Sequence, residues 1–107
     1  MSSRLVADAV DMASRVRDAG RYRQFKHAVS EFVRVLGTVP DEGTVSSDEV
    51  RVLQALGQDV IDHIEERVPD IASAADAQAL VGSVYEIRRL LEEVSRRRRH
   101  YAIARHV

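Results

Sequence analysis

An apolar side chain recurs every three or four positions from Leu80 through Val84, Ile87 and Leu91 to Val94, which commits the last third of the chain to a helix buried along one side. That stripe runs directly into Arg96-Arg97-Arg98-Arg99-His100-Tyr101. Successive helical residues step about 100° around the axis, so consecutive arginines face the whole circumference and cannot be packed as the stripe is. The spacing therefore predicts a helix whose first part packs against other helices. Its far end, from about Ser95, is a basic extension.

The remaining sequence is also helical in pattern. A first stretch begins after Ser3, a plausible N-cap, with apolar positions at Leu5, Ala9, Met12, Val16 and Ala19. The period continues past Gly20 through Tyr22, Phe25, Val29, Phe32 and Leu36. A loop over Gly37 to Ser46 follows, holding Pro40 and Gly43. The second stretch opens on Ser46 and Glu49 at capping-box spacing and carries Val50, Leu53, Gly57, Val60 and Ile64 before Pro69 stops it. Gly57 on the apolar face predicts a close helix crossing there. A short link and a second capping pair, Ser73 with Asp76, lead into the final helix, which can extend almost to Arg105.

A chain of 107 residues with 5% aromatic content and no Trp builds one core from Leu, Val, Ile and Ala. The fold class expected is all-α, an antiparallel bundle of three long helices in one domain over 1–107, the first split at Gly20 if the bundle has four. Cysteine is absent, which excludes disulfide frameworks and thiolate metal or redox sites. No apolar run reaches the roughly 18 to 20 residues of a membrane span, and Met1 to Val10 lacks a signal-peptide core. A soluble cytoplasmic protein is the expectation.

Helix length raises a packing problem. Unbroken, the outer helices each reach roughly 50 Å and the middle one only about 30 Å. The middle helix cannot cover both. Either Gly20 breaks the first helix and its N-terminal part folds back, or a second chain covers the stripe Leu5, Met12 and Val16. The sequence reading favours the second, a homodimer that self-associates through those residues.

Charge is segregated along the chain. Residues 1–36 hold seven basic and four acidic side chains, residues 37–82 two and ten, and residues 83–107 seven and three. A near-neutral total of −1 thus hides patches of opposite sign. Fifteen of the 16 basic residues are Arg, with Lys26 alone, as a GC-rich coding sequence would produce.

The arginine run is the main candidate for function. Arg88, Arg89, Arg96, Arg97, Arg98, Arg99 and Tyr101 are read as a surface that docks an acidic protein partner. Nucleic acid is the second reading, with Tyr101 available to stack on a base. The structural reading is that arginines near a helix C-terminus meet the helix dipole and pair within the chain. The acidic group Asp59, Asp62, His63, Glu65 and Glu66 is read as a solvated face, because no Glu-x-x-His pair occurs anywhere to build a bundle metal site. His27, His100 and His106 form no ligand set. No phosphate loop or nucleophile motif is present, and neither a cofactor nor a metal is expected.

One enzyme shares the outline. Long, short and long helices, with Arg15 and Lys26 in the first stretch and Asp48-x-x-Arg51 opening the second, resemble the all-helical chorismate mutases. That resemblance implies a dimeric enzyme gripping a dicarboxylate in a cationic pocket near Arg15, Lys26 and Arg51. The chain departs from the pattern at Val52, where an acidic residue is expected, and at Glu86, which lies off the apolar stripe. The function expected is a non-catalytic interaction or adaptor module, with nucleic-acid binding and a mutase-like reaction as alternatives.

Overall fold

The computed structural model describes residues 3–38 and 45–106, with side chains over 4–38 and 45–96. Among the described residues there are four α-helices and no strand: α1 (Ser3–Asp18), α2 (Tyr22–Gly37), α3 (Ser47–Arg67) and α4 (Ala74–His106). A 3-10 turn over Val68–Asp70 follows α3. The first apolar stretch is thus two helices rather than one. Ala19 and Gly20 leave the helix, and Arg21 is extended at φ −103°, ψ 146°.

α1 packs against α2 and α3, and α4 packs against the same two helices. Asp11, Arg15 and Asp18 of α1 share a cleft with Gln24, His27 and Glu31 of α2, so the chain doubles back at the break. Between α3 and α4 the contacts run in opposite order. Gln54 donates to the Ser95 hydroxyl at 2.8 Å, while Glu65 pairs with Arg88 at 3.4 Å.

The core comes from the stripes with small shifts in phase. α1 buries Leu5, Ala9, Ala13 and Val16, Ala19 just beyond it is buried too, and Met12 is only half-buried. α2 buries Phe25, Ala28, Val29, Phe32, Val35 and Leu36. α3 adds Ile61 to its expected stripe, and α4 buries Leu90 more deeply than Leu91. Three of the four residues that α1 buries are Ala or Val, which lets α2 and α3 approach closely.

Local signals account for most helix ends. Ser46 Oγ accepts from the Glu49 amide and Glu49 accepts from the Ser46 amide, a complete capping box. Ser73 Oγ accepts from the Asp76 amide at 3.3 Å. α3 ends where Pro69 removes a donor, and Thr38 closes α2 by donating its hydroxyl to the Val35 carbonyl. Gly57 lies where α4 crosses. A Cβ there would collide with Leu91 and sit 3.4 Å from Ile87, as its place on the apolar face predicts.

Gly20 is different. A Cβ at Gly20 would meet nothing within 4 Å, and its backbone does not need the left-handed region. Gly20→Ala is therefore expected to keep or slightly raise stability, by up to about 1 kcal/mol. Gly57→Leu is expected to lower it by about 1–3 kcal/mol through overpacking against Leu91 and Ile87. Urea denaturation of both variants checks the pair. Equal losses would place the structural requirement at the wrong glycine.

Candidate functional site

α4 dominates the shape of the molecule. Its 33 residues correspond to about 50 Å, close to the full 54 Å long axis, whereas α1 and α2 have 16 residues each and α3 has 21. Among the described side chains the last one buried on α4 is Val94, and the helix continues through His106. The basic run therefore begins where the buried stripe stops.

The described arginines of that surface are engaged by neighbouring carboxylates. Arg88 reaches Glu65 of α3 at 3.4 Å. Arg89 donates to Glu86 at 2.5 and 3.1 Å and lies 3.6 Å from Glu93. Arg96 lies 3.7 Å from Glu92. Hydrogen bonds from Arg89 outweigh the opposing cost of burial and, with a smaller contribution from its charge, hold the Glu86 carboxyl below its ordinary range. The linked stability is present above the ordinary Glu range and is lost as pH falls through the lowered value. All these side chains keep half or more of their arginine surface in water, so each pair contributes little. The side chains of Arg97, Arg98, Arg99 and Tyr101 lie outside the described residues.

The expected self-association stripe is largely covered within the single chain. Leu5 and Val16 are 5% and 1% exposed within the single chain, and Met12 packs partly buried against the same core. α2 and α3 cover what a second chain was expected to cover, because the break at Ala19 lets α1 turn back onto them.

The cationic pocket implied by the mutase resemblance is also not assembled. Arg15 pairs with Asp11 at 3.3 Å and Arg51 approaches Asp48 at 4.0 Å, with arginine side chains 65% and 80% exposed. Lys26 is exposed on α2, and neither it nor Arg51 lines the cleft that Arg15 enters. That cleft, about 710 Å³ and open, is bordered by Asp11, Asp18 and Glu31 as well as Arg15 and His27. In the acidic group, His63 Nδ1 donates to the Asp59 carbonyl at 2.8 Å and lies 3.7 Å from its carboxylate. Among the described residues no three potential ligands cluster to hold a metal ion, and no helix is long and apolar enough to cross a membrane.

The sequence pattern does not single out Arg67, and it marks Tyr22 only as a position of the apolar stripe. Arg67, the last residue of α3, donates to the Ala19 carbonyl just past the end of α1, and its guanidinium sits 4.6 Å from the Phe25 ring centroid. One side chain thus joins the ends of α1 and α3 to the start of α2. It also places positive charge at a helix C-terminus, where the dipole favours it. Tyr22, at the start of α2, has an enclosed hydroxyl. Burial first, and then the Asp76 carboxylate of α4, raise its pKa above the ordinary phenol value. The only sequence signal for Arg67 is a lone basic residue within an acidic stretch, which points equally well to solvent.

No protein-family model, curated protein or solved structure matches this chain.

Arg67→Met keeps the apolar stem and removes the charged donor. It is expected to lower stability by about 1–2 kcal/mol, from one charge-assisted hydrogen bond and one cation–π contact. Thermal unfolding followed by circular dichroism checks this, and an unchanged midpoint would remove Arg67 from the account of the break.

Proposed function

We propose that this chain is a non-catalytic, cytoplasmic interaction module, an antiparallel helical bundle that docks an acidic protein partner through the C-terminal part of α4. The observation that carries the reading is the length of α4. It is more than ten residues longer than any other helix, and the arginine run follows its last described buried side chain. An isolated basic helix end costs the fold little in water, and the helix supports it rigidly from within the bundle. Arg88, Arg89 and Arg96 already face Glu65, Glu86, Glu93 and Glu92, so the charge offered to a partner is concentrated in Arg97, Arg98 and Arg99.

Acidic protein is favoured over nucleic acid by the charge of the whole. The chain is net −1, and the ten acidic residues of its middle third repel a phosphate backbone that extends beyond the arm. A helix of partner carboxylates meets the arm without that penalty. The same arginines with Tyr101 support the nucleic-acid reading only if a single strand touches the arm alone.

The test compares a labelled Glu-rich 20-residue peptide with a 20-nucleotide DNA strand by fluorescence anisotropy over a range of salt. The peptide is expected to bind more tightly. Arg97→Gln/Arg98→Gln/Arg99→Gln is expected to weaken it by roughly tenfold or more, three exposed pairs at about 0.5 kcal/mol each, with helicity unchanged. Tighter binding of DNA with a steep salt slope would transfer the function to nucleic acid. Peptide binding that ignores the triple substitution would end the docking role.

A further inference from the structure

Charge on α4 is divided at one point along its length. Residues 83–94 hold two arginines and three glutamates, and both arginines are met: Arg88 by Glu65 of α3, Arg89 by Glu86 and Glu93 of α4. Residues 95–107 hold five arginines and no acidic residue. Arg98, Arg99 and Arg105 have no acidic residue three or four positions away, where a helix would pair them. Shape is the second observation. α4 stays helical through His106, so Arg96 to Arg99 fall at register positions 100° apart and mark every side of the helix rather than one face. The positions three and four beyond Val94 are Arg97 and Arg98, so the buried stripe is not continued among them. The apolar residues that follow, Tyr101 to Ala104, are consecutive and build no stripe either. A folded partner finds no apolar seam here of the kind that Leu80 to Val94 gives the bundle.

From the charge and the register together we infer that the acidic partner is a flexible segment rich in Asp and Glu, which winds around the end of α4 instead of packing on one side of it. This inference rests on the docking reading above and specifies the partner. A rigid acidic helix touches one side of α4, and a helix with its side chains is about 10 Å across. Register positions on the far side then lie more than a Debye length, about 8 Å at physiological salt, from its carboxylates. A flexible chain brings a carboxylate to each register position in turn. It needs no apolar surface and no folded form of its own to do so, which is what a tract of high charge and low hydropathy supplies.

Fluorescence anisotropy with the full chain tests this, using two labelled peptides of equal length and equal glutamate count. One alternates Glu with Gly and Ser and is unstructured; the other is an Ala-based helix with its glutamates on one face, each form verified by circular dichroism. The flexible peptide is expected to bind roughly two- to fivefold more tightly, as one or two additional exposed pairs provide. Arg97→Gln, Arg98→Gln and Arg99→Gln, made singly, should each weaken it by a similar factor of about two, with the helicity of the protein unchanged. Tighter binding of the helical peptide would overturn the inference and leave the docking reading standing. So would one arginine whose loss costs more than roughly tenfold, as a single specific charged hydrogen bond does, while the other two are silent. A DNA strand that displaces the flexible peptide at equal concentration would also overturn it and move the occupant to nucleic acid. Binding of neither peptide would end the docking reading as well.

Discussion

Every helix here has an apolar stripe, and stripes must be covered by other stripes of similar length. The first stretch carries two such stripes end to end, Leu5 to Ala19 and Phe25 to Leu36, while α3 offers only 21 residues. A continuous helix over both would leave one in water. Exposing Leu5, Val16 and three alanines would cost several kcal/mol at about 25 cal/mol per Å² of apolar surface, far more than the few backbone hydrogen bonds lost at a break. The chain therefore turns at Ala19–Arg21. Arg67 holds the turn by meeting the carbonyl that the broken helix leaves without a partner.

Once α1 and α2 lie side by side, the rest follows by exclusion. Each is half the length of α4, so together with α3 they clothe α4 only in part. Among the described side chains the last one buried on α4 is Val94, and the arginine run follows it in sequence. Within the clothed portion, Arg88, Arg89 and Arg96 are balanced locally by glutamates at distances of 2.5–3.7 Å. Structure and candidate function thus divide α4 between them. Its first two thirds hold the bundle, and its end carries the arginines for which the docking role is proposed.

Much of this architecture is readable from the chain itself, because the signals are local. The Ser46–Glu49 box, the stop at Pro69 and the close crossing at Gly57 each depend on residues within a turn or on one missing Cβ. The break does not. Gly20 marks the right place, yet it supplies no special backbone conformation and no close approach, so its presence alone could not distinguish a bend from a fold-back. What decides the break is the coverage available from α2 and α3, and Arg67, 48 residues from Ala19, meets the carbonyl freed there. For Leu5, Met12 and Val16, stripe length is visible in sequence, but the identity of the covering helices, α2 and α3, is not. For the arginines, position was readable, whereas the Arg88 link to Glu65 required knowing which face of α4 meets α3. Ala13 in place of Met12, and Leu90 beside Leu91, show the one-residue shift of phase, about 100°, that periodicity leaves open.

Everything above depends on the chain folding back on itself between α1 and α2, and an intrachain distance across that turn reports it. The protein has no cysteine, so spin labels can be placed at Asp11→Cys and Glu31→Cys alone, both on the rim of one cleft. Double electron–electron resonance, with labelled chains diluted in unlabelled ones, then reads the intrachain separation. Fold-back predicts a narrow distribution under roughly 20 Å that dilution leaves unchanged. A continuous helix through Gly20 predicts about 30 Å from the rise per residue, and that result would contradict the account.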